Sequence, residues 1–245
     1  MTDPNPPVEI TLRIPGEWAS PREVLDRLPP GCSIEGSDLV LPDGTKMEIY
    51  PRPADEQFAG IFTSSCRQPP EDDELAKVHR YTVNVCLCGP GGSSQQAHAM
   101  MRAGAAIIEA GGAGVFIDNC AMAHGGQLWR EMADDGGSDA LSYAFVSIIR
   151  GPQEMRTMGM HVLGYPEFIM RCADAGDDAQ MLVEVIRYVA SGEKPIGDGH
   201  LLGDEQGVRF RATAAISDNQ TAGSPMHNPF GSLRLTSLKD IAEGN

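Results

Sequence analysis

No stretch of this sequence approaches the ~20 consecutive apolar residues that a bilayer requires. The first residues, MTDPNPPVEITLRIP, also lack the basic start and apolar run of an export signal. These absences lead us to expect an unexported, cytoplasmic chain with no membrane partner. Positive charge is scarce as well: 19 basic against 34 acidic residues leave a net charge of −15, which repels a nucleic-acid backbone. The expected partner is therefore a protein, basic in character, or a small molecule. Aromatic residues make up only 6%, and Trp18 and Trp129 stand alone, too few to suggest stacking on bases or sugars. The six cysteines, Cys32, Cys66, Cys86, Cys88, Cys120 and Cys172, follow no framework spacing and suit reduced thiols. Neither C-x-x-C nor H-E-x-x-H occurs, so Cys86, Cys88 and His98 read as packing groups, and neither metal nor cofactor is expected.

What is present is a pattern of strands and helices. Val8-Glu9-Ile10-Thr11-Leu12-Arg13-Ile14 alternates apolar and polar residues as a half-buried strand does, and Pro21–Leu28 reads as a short helix behind Ser20. Asp43-Gly44 supplies the turn of a hairpin between Leu39-Val40-Leu41 and Met47-Glu48-Ile49-Tyr50. Residues 1–52 thus form either an N-terminal unit or extra strands of a main domain spanning 53–245. PPEDDELAKVHR has the acidic start and basic end that complement a helix dipole.

The clearest unit follows: a strand at Tyr81–Cys88, a helix at Ser94–Ala110 with an apolar stripe through Ala97, Met100, Met101, Gly104, Ala105 and Ile108, and a strand at Gly114–Asn119. Such a β-α-β unit implies co-directional strands. Further on come a helix at Gln127–Ala133, an apolar run at Leu141–Ile149, a strand at Met155–Leu163, a helix at Asp178–Ala190, and strands at Val208–Ile216 and Ser232–Leu238 around the turn-rich DNQTAGSPMHNPFG. The irregular order predicts an α+β fold, a mixed sheet around the central β-α-β unit with helices packed mainly on one face.

Two places attract a functional reading. CLCGPGGSSQQAH lacks both the lysine of a Walker loop and the order GxGxxG. It reads as a strand end, a bend and a capped helix, with an anion site at Gly91, Gly92, Ser93 and Ser94 as the alternative. Co-directional strands also bring their carboxyl ends to one sheet edge, which would gather that turn with Asp118, Asn119 and His124. Asp118 and His124 are the candidate acid–base pair of a hydrolase if within reach of each other; the other reading makes them a strand end and a surface turn. No nucleophile is assigned by spacing, Cys120 and Ser93 being the nearest choices. His161 reads as a residue bonded inside a sheet; His200 and His227 fall in loops. The methionines read as core filling, with an adaptable recognition surface as the alternative.

The order of features from Tyr81 to Cys172, with GVFIDN closing the β-α-β unit, then Trp129, then RTMGMHVLGYPEF ending in Gly164-Tyr165-Pro166-Glu167, resembles the uncharacterised DUF4261 family. The resemblance implies an α+β domain and transfers no catalytic residue. The absence of any complete catalytic motif points first to a non-catalytic interaction or regulatory module; a hydrolase built on Asp118 and His124 is the second reading.

Overall fold

The alternating segment near the start becomes β1 (Val8–Gly16), whose Ile10, Leu12 and Ile14 are wholly covered while Thr11 and Arg13 face the other way. A computed structural model describes residues 7–176, 178–192, 195–204, 207–215 and 223–243. After β1 come α1 (Pro21–Asp26), shorter than the helix expected, and the strands β2 (Ser33–Glu35), β3 (Asp38–Val40) and β4 (Lys46–Pro53). Between β3 and β4 Gly44 takes φ +83°, and the Thr45 amide donates to Asp43 Oδ1 at 3.0 Å, so the Asp-Gly turn forms as its chemistry requires.

Two helices, α2 (Phe58–Ser65) and α3 (Asp72–Arg80), lead into β5 (Val83–Gly91), α4 (Ser94–Glu109), β6 (Gly114–Ile117) and β7 (Met122–Gly125). Reciprocal bonds between Glu71 and Glu74 cap α3, in keeping with its acidic first turn. These strands form one sheet in the order β2-β3-β4-β5-β1-β6-β7, so β1 to β4 share a sheet with β5 and β6. Both β5 and β6 pair antiparallel to β1 and therefore run the same way, but β1 lies between them. The β-α-β unit is split, and α4 spans the strand inserted from far upstream. On α4, Gly104 lets Trp129 and Leu12 approach: a Cβ there would stand 2.7 Å from Trp129 Nε1 and 3.3 Å from Leu12 Cδ1. On the opposite face Phe58, Phe62, Val78 and Tyr81 of the α2–α3 region pack with Phe116 and Ala123.

The apolar run expected at 141–149 divides into α6 (Ser138–Phe145) and β8 (Ser147–Arg150), following α5 (Gly126–Asp135). A strand was expected over Met155–Leu163; instead β9 (Glu154–Met158) stops at Gly159, where φ is +108°, and Met160–Leu163 coils into a 3-10 turn. Only glycine fits there, since a Cβ would lie 2.0 Å from the Phe145 carbonyl oxygen. Then come β10 (Glu167–Arg171), α7 (Cys172–Ala175), α8 (Gln180–Ala190), β11 (Leu201–Asp204), β12 (Gly207–Ala215), β13 (Ser232–Ser237) and α9 (Leu238–Glu243). The second sheet runs β11-β12-β13-β10-β9-β8, with β10 and β13 parallel and its other pairs antiparallel. The fold is α+β, and this second sheet is the mixed one. Ile216 of the expected strand and positions 218–222 of the turn-rich loop lie outside the described residues. Among the described residues no helix is long and apolar enough to cross a membrane.

Candidate functional site

The glycine-rich turn closes onto the 3-10 turn. Gly92 takes φ +92°, and its amide donates to the Val162 carbonyl at 3.0 Å. Gly164 sits so near that a Cβ would stand 2.4 Å from the Gly92 oxygen. Gly91 packs on Ile10 and Val8, and Ser93 caps α4 by accepting from the Gln96 amide at 3.2 Å, with Ser94 beginning the helix. The turn therefore joins the two sheets, and its Gly92 and Gln96 amides are engaged within the protein.

Asp118 follows β6 and is held by β1: Arg13 reaches its Oδ2 from Nε at 3.0 Å and Nη2 at 2.8 Å. His124 lies on β7 opposite Val115 and is fully buried, not on a surface turn. Its Nε2 stands 3.1 Å from the Ala144 carbonyl oxygen, which can only accept, so Nε2 carries the proton. Nδ1 is buried with no hydrogen-bond partner among the described residues, and the ring lies 6.0 Å from Trp129 and 5.9 Å from Tyr143 between centroids. Burial, aided by the charge on Arg67, lowers its pKa to about 4, while the Ala144 bond acts the other way. Among the described residues no hydrogen bond joins Asp118 to His124.

The nearby thiol is no better placed. Cys120 is buried and pushed up to about 12, mainly by burial, so it is a poor nucleophile. Cys86 and Cys88 share the polar face of β5, where Cys88 Sγ is 3.6 Å from Thr11 Oγ1 and 3.7 Å from Tyr50 Oη. His98 is spent on the end of α5, its Nε2 3.1 Å from the Ala133 oxygen. No group of three or more metal-ligating side chains occurs among the described residues.

A buried polar network that no local pattern announces joins the two sheets. Asn119 accepts from the Thr11 amide at 3.0 Å and donates to the Glu9 carbonyl at 2.8 Å. His161 lies 2.9 Å from the Pro225 oxygen and 3.4 Å from Glu167 Oε1, and Asn119 Nδ2 is 3.3 Å from its ring. Glu167 also accepts from Thr157 at 2.6 Å and from Asn228 at 2.9 Å. Burial alone would raise its carboxyl, but the bonds from His161, Thr157 and Asn228 hold it below its ordinary pKa. Each member answers another, which suits a structural clasp.

Two of the open concavities among the described residues lie on either side of α8. One, about 750 Å³, runs between α8 and β11–β12, where Met181, Val185, Ile196, Leu202 and Phe210 form an apolar lining. Tyr188 and Leu201 also line it, 41% and 59% exposed. His200 lies there too, its Nδ1 accepting from the Gly197 amide at 3.1 Å. The other, about 520 Å³, is bounded by α6, α8 and β8–β9 and contains Arg67, Arg150 and Arg187. Sequence reasoning missed both: the Arg67 groove is assembled from segments far apart in the chain, and the other, although confined to 181–210, is formed only when β11–β12 pack beside α8, whose amphipathic pattern was the one visible signal. No protein-family model matches this chain, and comparison with curated proteins and with solved structures finds no match.

Proposed function

We propose that this protein is a non-catalytic interaction module of the cytoplasm whose groove between α8 and β11–β12 receives an apolar, basic segment of a partner protein. The observation that carries the reading is the pair of large apolar side chains left open beside that groove, Tyr188 and Leu201; exposed apolar surface of this kind marks contact sites. Two features define the occupant. Among the described residues β11 is an edge strand of its sheet, with one side of its backbone able to pair with an added strand. The net charge of −15 favours a positively charged partner, Glu184 and Arg209 on the groove itself being of opposite sign. This reading is preferred to a hydrolase because Asp118 is engaged by Arg13 and His124 is enclosed. It also keeps the likeness of residues 81–172 to the DUF4261 family, which brings no reaction with it.

The test is a titration of isotopically labelled protein with a synthetic peptide of alternating leucine and lysine, beside its leucine–glutamate counterpart. The basic peptide is expected to shift amide signals of 181–188 and 201–210, and Leu201→Glu to abolish the shifts. Equal binding of the acidic peptide, or shifts confined to other elements, would overturn the reading.

A further inference from the structure

We propose that the groove on the other side of α8, walled by α6 and β8–β9, binds a small organic monocarboxylate with an apolar tail, and that Arg67 takes the carboxylate. Arg67 follows Cys66, whose backbone bridges to Ala123 of β7 and so anchors the position. Its Nη1 donates to the Tyr143 carbonyl at 2.9 Å and its Nη2 to the Val146 carbonyl at 2.5 Å, while the guanidinium lies 4.5 Å from the Tyr143 ring centroid. A guanidinium has five N–H donors. The two carbonyls use two of them, and a carboxylate needs two more for bidentate capture.

No carboxylate pairs with Arg67 among the described residues; its close neighbours are carbonyls and a phenol ring. Arg67 is open to solvent, so an anion can reach it, while desolvation by its surroundings lowers its pKa. The rest of the groove selects the kind of anion. Arg150 and Arg187 share the rim of this groove with two aspartates, Asp139 and Asp178. Arg187 and Asp139 stand 3.8 Å apart with both side chains mostly exposed, a weak pair. The two aspartates oppose a phosphate dianion more strongly than a singly charged carboxylate. Behind the charges Ile148, Met155, Val183 and Ile186 offer an apolar wall for a tail. A volume of about 520 Å³ lies within the range of small-molecule sites.

Calorimetric titration of the full chain with octanoate, octanamide, inorganic phosphate and N-acetyl-trileucine bearing a free carboxylate tests the site. At least one of the two carboxylates is expected to bind saturably, about tenfold or more tighter than octanamide and phosphate. Whichever carboxylate binds more tightly names the source, a free acid or a peptide end. Arg67→Gln is expected to weaken that binding at least tenfold with the far-ultraviolet circular dichroism unchanged. Val183→Trp, which fills the groove without removing the guanidinium, is expected to weaken it likewise. Octanamide binding as tightly as octanoate, phosphate binding tighter than either carboxylate, or no carboxylate binding in the millimolar range would overturn the proposal on the unaltered protein alone. Unchanged affinity in a folded Arg67→Gln protein would do the same.

Discussion

The His124 ring and the Ala144 carbonyl form a buried hydrogen bond of 3.1 Å between β7 and the end of α6, and it leaves Nδ1 facing no partner. Protonating that nitrogen would place a charge in the core beside Trp129 and Tyr143. The pKa of about 4 lies below the ordinary 6.5, so between these values the unfolded chain binds a proton that the folded chain refuses. Stability is therefore expected to fall as pH drops from 6.5 toward 4, by up to about 3 kcal/mol from this residue. Urea midpoints measured at pH 7 and pH 4.5 check it: His124→Phe should lose less stability between the two than the unaltered chain.

Glu167 sets a second acid limit. Its folded pKa is depressed, so its contribution is present above the ordinary carboxyl value of 4.5 and is lost as pH falls below that point. Glu167→Gln should cost stability at pH 7 and flatten the acid limb below pH 4.5. Equal acid limbs in the two proteins would contradict the network described around His161.

Asn228 donates to both Glu167 Oε1 and the Tyr165 carbonyl, each at 2.9 Å. Asn228→Ala removes a bond to a buried carboxylate, and the expected cost is about 1.5–3 kcal/mol in chemical denaturation. The loss should shrink in a Glu167→Gln background, because the two residues share one network.

Gly159→Ala is expected to destabilise by about 1–3 kcal/mol or more. The position has φ +108°, and a Cβ would collide with the Phe145 oxygen. Its amide also donates to Glu167 Oε1 at 3.1 Å. Thermal unfolding beside Gly176→Ala, which has φ +80° and open space around it, separates the collision from backbone strain alone.

Elements whose cause is local were legible in the sequence. Alternation marked β1, Asp43-Gly44 marked its hairpin, and the acidic start of α3 and Ser93 before α4 marked their helix beginnings. The β-α-β unit was readable in direction but not in adjacency, because nothing within residues 81–119 reveals that β1 occupies the space between its strands. β7 was hidden by Gly125-Gly126, which resemble a turn until α6 and Trp129 cover His124. The strand expected through Leu163 failed at Gly159, whose geometry is dictated by the distant Phe145 oxygen. The Arg67 groove had no local signature beyond the amphipathic pattern of α8. Its donors are positioned by carbonyls of Tyr143 and Val146, 76 and 79 residues away.

The central placement of β1 also bears on biosynthesis. Val8–Gly16 leaves the ribosome long before Val83–Gly91 and Gly114–Ile117, the two strands that flank it among the described residues. Its apolar side chains must wait through translation of roughly a hundred residues before both neighbours exist, a delay that slows folding and invites association between nascent chains.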